Sequence, residues 1–245
     1  MREQRKGGRG PERRGRPKPH REREVAVLYE DDAVIALDKP AGLPAVPVAK
    51  NSNAPSAWSL LKAELRERRQ RAFVVHRIDR FTSGILLFAK TERDRDVLVQ
   101  QFLEHKPKRE YLAVIRGHLE REQATLVHYF RKEGLVQQLS HSRDRKAARA
   151  ELRYRVEQKL RAASLVHVEL ITGLQNQIRV QFSAIGHPVI GDRKYHPSEA
   201  EEKRIDRVAL HAESLEFVHP RTGKKLTIES EAPQDFRRLV RTLTV

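Results

Sequence analysis

The sequence predicts an α+β fold: a large mixed, mostly antiparallel sheet flanked by helices. Strand-like segments outnumber helical ones, and several follow one another with only a turn between them, the connectivity of antiparallel neighbours. One segment, residues 85–89, is apolar throughout and short, which reads as a strand covered on both faces.

The elements follow in chain order. Residues 1–24 hold ten Lys/Arg, four Glu and a single apolar residue, Met1. Such a segment buries too little surface to offset the entropy of ordering it, so a disordered basic arm is expected. Residues 25–29 and 33–37 flank Asp31-Asp32 as a hairpin, and Lys39-Pro40-Ala41-Gly42 breaks the pattern. Apolar residues at 57, 58, 60, 61 and 65 predict a helix over 56–69 with a basic outer face. Thr91-Glu92-Arg93-Asp94 is a capping sequence for a helix to about residue 105, expected to bury Val97, Leu98, Phe102 and Leu103. Residues 111–115, 125–129 and 165–171 are strand-like. Ala150, Leu152, Tyr154 and Val156 recur at period two among charged residues, marking a half-buried strand. Ile178, Phe182 and Ile185 place a helix over 175–185, stopped by Gly186-His187-Pro188. Two late strands, 209–217 and 225–229, are joined by a turn through Pro220 and Gly223, and a helix begins at Pro233. No compositional break divides residues 25–245, which are expected to form one catalytic domain.

Composition narrows the partners. The chain has 245 residues, 49 Lys+Arg against 33 Asp+Glu, and a formal charge of +16. The arm accounts for +6, so the body is itself basic and suited to an anionic polymer or an acidic membrane surface. No apolar run is long enough to span a bilayer or to serve as a signal peptide, and the arm lacks the Ser and apolar face of a transit peptide. A cytosolic monomer that binds no membrane is expected. The absence of cysteine excludes disulfides, thiolate zinc sites and cysteine nucleophiles. The eleven histidines show no metal-binding spacing and are expected on surfaces or beside phosphates; no metal or cofactor is expected.

The most informative stretch is His76-Arg77-Ile78-Asp79-Arg80-Phe81-Thr82-Ser83-Gly84, which runs into the apolar strand. It sets one carboxylate between two arginines at the end of a buried strand, where neighbouring cations favour the ionised form. Together with Lys39-Pro40-Ala41-Gly42-Leu43, the segment from Lys108 to Gly117, Thr172-Gly173 with Gln177-Ile178-Arg179, the run Gly186 to Asp192, and Leu210-His211-Ala212 with His219-Pro220, it resembles the RluA-type pseudouridine synthases. The motifs occur in order through nearly all of residues 25–245. The resemblance implies the pseudouridine synthase fold and an isomerase of rRNA or tRNA that works without a cofactor. It implies that Asp79 is the catalytic carboxylate, Tyr111 the aromatic surface that receives the flipped base, and Arg179 the partner of Asp79. Arg77 is implied to fill the gap left by the flipped base. Arg80, Lys39, Lys108, Asn176 and Gln177 lie in the matched motifs and are expected to contact RNA.

The reaction breaks the C1′–N1 bond, rotates the uracil and rejoins it through C5. The carboxylate either attacks C1′, as a glycosidase nucleophile does, or removes a ribose proton; the sequence leaves both open. The uridine must leave its stack to be reached. Leu174, Gln175 and Asn176 stand where the family has a basic residue and a histidine, and Phe81 where it commonly has an acid. The first departure is expected to alter RNA contacts or the start of the helix rather than abolish catalysis. The alternative is a non-catalytic RNA-binding protein that keeps the fold. Many relatives carry an S4 RNA-binding domain; none is expected here, and the basic arm is expected to substitute for it in part. Deleting residues 1–24 should therefore weaken RNA binding and flatten its salt dependence, each lost phosphate contact lowering the slope of log K against log salt by somewhat under ~1. An unchanged slope in a salt titration would make the arm a bystander.

Overall fold

The computed structural model describes residues 25–49, 54–134 and 136–244. The basic arm lies outside the described residues. The described elements are β1 (Ala26–Glu30), β2 (Val34–Lys39), α1 (Ala57–Glu67), β3 (Phe73–Val74), β4 (Ser83–Ala89), α2 (Glu92–Leu103), β5 (Lys108–Arg116), β6 (Gln123–Glu133), β7 (Val136–Ser140), β8 (Ala148–Leu160), β9 (Ala163–Leu170), α3 (Gln177–Ala184), β10 (Leu210–Val218), β11 (Lys225–Glu229) and α4 (Gln234–Leu243). The strands form one sheet in the order β1-β2-β4-β10-β5-β9-β8-β6-β7, with β11 beside β10 and β3 beside β4. All pairings are antiparallel except β4 with β10. This is the mixed, mostly antiparallel sheet that the sequence predicts.

β4 is the hub. All seven of its residues are buried, because both faces are covered. Leu86 and Phe88 pack with Leu61 and Leu65 of α1 on one side, while Ile85, Leu87 and Ala89 pack with Leu98 of α2 on the other. Period-two alternation sends neighbouring apolar residues to opposite layers, which is why no polar residue follows Ser83 in the strand. At its start β4 pairs in parallel with β10 (Ser83 with His211, Gly84 with Ala212). Gly84 is required there: a Cβ would lie 2.1 Å from the Ala212 carbonyl oxygen, and its φ is +106°.

Ser56 caps α1 through a reciprocal bond with Ser59, and Thr91 caps α2 by accepting from the Asp94 amide. α2 departs from expectation on one point. Leu98 is buried, but Val97 is 40% and Leu103 67% exposed. These two residues sit about 100° or more around the helix from Leu98, off the stripe that meets β4. One histidine also departs from the expected surface or phosphate-facing position. His211 is fully buried, sharing hydrogen bonds with Ser83 (3.0 Å) and the Ser230 carbonyl (2.9 Å), and burial lowers its pKa. It ties the strand after Asp79 to the late strands instead of facing phosphate. α4 buries Phe236, Leu239 and Leu243 against the second half of the sheet.

Candidate active site

A cleft of about 710 Å³ opens where the loop before β4, the face of β5 and the start of α3 meet. It is lined by Arg77 and Asp79 from the loop, Arg109 and Tyr111 from β5, and Asn176 and Arg179 from the α3 region. Phe102 and Leu103, from the end of α2, complete one wall.

Asp79 follows Ile78, which is buried in the core and anchors the loop, and precedes a turn closed by the Thr82 amide on the Asp79 carbonyl (3.1 Å). Its side chain is 22% exposed. Arg179 Nη1 lies 3.4 Å from Asp79 Oδ2, so the structure brings these two residues together across a separation of 100 positions. The bidentate face of Arg179, however, belongs to another acid. Nε and Nη2 donate to the two oxygens of Asp192 at 2.8 and 2.6 Å, and Nη1 also donates to Asn176 Oδ1 at 2.7 Å. Burial opposes the charge of Arg179, but Asp192, and Asp79 after it, outweigh that and hold its pKa above the ordinary arginine value. The guanidinium is thus fixed by Asp192 and presents its remaining nitrogen to Asp79.

Tyr111 is buried yet lines the cleft, with its ring against the core and its hydroxyl bonded to no described residue. Burial raises its pKa, with Asp79 adding and Arg109 opposing, so the phenol is protonated at neutral pH. His76, which also lines the cleft, stacks on Phe102 at 4.6 Å and accepts from the Leu87 amide at 3.0 Å. Burial, helped by the charge of Arg109, pushes its pKa down to about 3, so it is a neutral wall.

Other expected contacts lie elsewhere. Lys39 is fully buried, and its ammonium donates to the carbonyls of Pro40, Leu43 and Arg80 at 3.0, 2.9 and 3.2 Å. It faces inward, which rules out the expected RNA contact, and fastens the Lys39–Leu43 segment to the loop that carries Asp79 and Arg80. Gly42 and Arg80 add a reciprocal pair to this clamp: the Gly42 amide donates to the Arg80 carbonyl (2.7 Å), and Arg80 Nε donates to the Gly42 carbonyl (3.0 Å). Gln177 is likewise spent internally, accepting from Thr172 Oγ1 and the Leu174 amide and donating to Glu151 and Gln181. Asn176, in the left-handed conformation that asparagine tolerates, joins Arg179 to the Tyr195 hydroxyl. Lys108 pairs with Glu110 on the sheet face opposite Tyr111 and does not line the cleft; Arg109 does. Arg77 and Arg80 are exposed, beside an exposed Phe81 over which the Arg80 guanidinium sits at 5.5 Å. Leu174 packs with Phe130, Ala150 and Val180, which explains an apolar residue at that departure.

Residues 33–184 match the family model described as RNA pseudouridylate synthase. The chain belongs to this family. With it, the chain joins the isomerases that act on RNA. It is 37% identical over 230 residues to the ribosomal large subunit pseudouridine synthase D of Nitrosomonas europaea, covering 89% of this chain and 65% of that protein. It is 31% identical over 241 residues to the ribosomal large subunit pseudouridine synthase C of Escherichia coli, covering 92% of this chain and 73% of that protein. The chain thus spans about two thirds to three quarters of the length of these relatives. The fold also matches that of human RNA pseudouridylate synthase domain containing 4, at a TM-score of 0.72 and 20% identity, over 89% of this chain and 92% of that one.

Proposed function

We propose that this chain converts uridine to pseudouridine in ribosomal RNA, with Asp79 as the carboxylate that reaches the ribose and with no cofactor. The observation that carries the reading is the grouping of a partly accessible Asp79, an Arg179 locked by Asp192, and Tyr111 around one cleft wide enough for a flipped nucleotide. A carboxylate beside a fixed guanidinium is placed either to add to C1′ or to take a ribose proton. Tyr111 offers a flat surface to the base. The exposed Arg77, which lines the cleft, and the exposed Arg80, next to Asp79 in the chain, suit phosphates on either side of the extruded nucleotide. The relatives named for the large ribosomal subunit favour rRNA over tRNA as substrate.

Transcribed rRNA labelled with tritium at uridine C5 should release tritium to solvent when mixed with the purified protein, since C5 loses its hydrogen as the new bond forms. Release should persist after exhaustive chelation on an oligonucleotide that needs no ion to fold. Binding of rRNA and tRNA without release from either would favour the non-catalytic alternative and sink the proposal.

A further inference from the structure

Among the described residues, three arginines are buried: Arg109, Arg179 and Arg207. Arg179 has Asp192 and Asp79, and Arg207 has Asp235. Arg109 has no carboxylate partner among the described residues. It is 8% exposed, its Nη2 donates to the Ile171 carbonyl at 2.8 Å, and its Nε is buried without any partner. A buried cation without a counter-ion is unfavourable, and burial indeed lowers its pKa. The surroundings nonetheless hold the head group in place. Gly173 makes room for it, since a Cβ there would lie 2.5 Å from Nη1. The Phe102 ring lies 5.9 Å from it, too far for more than a weak cation–π attraction. Arg109 stands two residues before Tyr111 on the same strand face, and both line the cleft with Asp79.

We infer that Arg109 is a further catalytic residue, which holds the uracil as an anion between its detachment from the ribose and its reattachment. The inference rests on the synthase reading above. When the C1′–N1 bond breaks, its electron pair stays with the base, and the charge spreads over N1 and the two carbonyl oxygens. Asp79 meanwhile either bonds to C1′ or takes the ribose proton. When C5 attacks C1′, that pair forms the new bond, while the Asp79–C1′ bond breaks with its pair on the carboxylate or, on the other route, Asp79 returns its proton to the ribose. C5 then gives up its hydrogen as a proton and N1 takes one, so nothing is added overall. A planar cation beside the ring that receives the base matches this transient charge, whereas the carboxylate of Asp79 is already answered by Arg179. A backbone phosphate is the poorer fit, because it stays hydrated near the exposed Arg77 and Arg80 while Arg109 lies within the wall.

The test compares the native protein with Arg109→Met and Arg109→Lys in single turnover, on one RNA carrying uridine and on the same RNA carrying 5-fluorouridine. Fluorine withdraws electrons and stabilises the departing base by itself. With uridine, Arg109→Met should lose at least 100-fold in rate while RNA affinity stays within threefold. With 5-fluorouridine, measured as loss of that nucleotide from nuclease digests, the deficit should shrink below tenfold. Arg109→Lys should fall between the two proteins, and it carries the test if the methionine variant does not fold. Equal losses on both RNAs would indicate a structural role, and a loss confined to affinity would indicate a phosphate contact; either overturns the inference. An inactive native protein would instead overturn the synthase reading.

Discussion

Asp79→Asn should bind rRNA as tightly as the native protein and form no pseudouridine, a loss of at least about 10³-fold in single-turnover rate, or ~4 kcal/mol of barrier. The amide keeps the shape of the side chain but can neither add to C1′ nor take a proton from the ribose. The fold should not notice the change. Asp79 makes one long contact with Arg179, at 3.4 Å, and Arg179 stays anchored by Asp192 without it. The loss therefore belongs in the chemical step and not in binding. Turnover by the purified asparagine variant within tenfold of native would remove Asp79 from the chemistry.

Arg179→Met should damage both rate and stability, and the two effects can be separated. Asp192 is 1% exposed, and besides Arg179 it is served by the amides of Lys194 and Tyr195. Removing one partner of a buried pair typically costs ~3–5 kcal/mol, so the urea midpoint should fall clearly. Measured where both proteins remain folded, turnover should still drop at least about 100-fold, ~2.7 kcal/mol of barrier, because Asp79 loses the charge beside it. RNA affinity should change little, since Arg179 is 7% exposed and its nitrogens are engaged by Asp192, Asn176 and Asp79. Arg179→Lys restores the charge but not the fork, and cannot serve Asp192, Asn176 and Asp79 together. It should recover part of the stability and little of the rate. A methionine variant that is less stable but turns over at the native rate would make Arg179 purely structural.

Much of this architecture was legible because local rules and tertiary packing agree. The all-apolar β4, the Thr91 cap of α2, the late pair β10 and β11, and the helix after Pro233 each carry their signal in a few adjacent residues. The string around Asp79 pointed to the cleft in the same way. What stayed hidden depends on long-range partners or on residue types used against habit. Lysine is seldom buried, so nothing marked Lys39 as an internal clamp. Histidine in a basic chain suggests phosphate, yet His211 bridges two interior serines. The grip of Asp192 on Arg179 arises where the chain returns after α3, and no spacing rule connects the two. The choice between Lys108 and Arg109 could have been made. If Tyr111 faces the cleft, strand alternation puts Arg109 beside it and Lys108 on the far face.

The parallel pairing of β4 with β10 also fixes when the active cleft can form during synthesis. The Ser83–His211 contact spans 128 positions, and Leu210, at the start of β10, lines the cleft itself. A nascent chain that ends before β10 already holds Asp79, β2 and β4, but the leading edge of β4 has no parallel neighbour. Such an apolar edge is a template for misassociation with other chains, so this stage is the one that most needs shielding. Contacts of such high sequence separation form slowly, because the entropy of closing the intervening segment must be met first. The cleft is therefore completed late, only once β10 has docked beside β4.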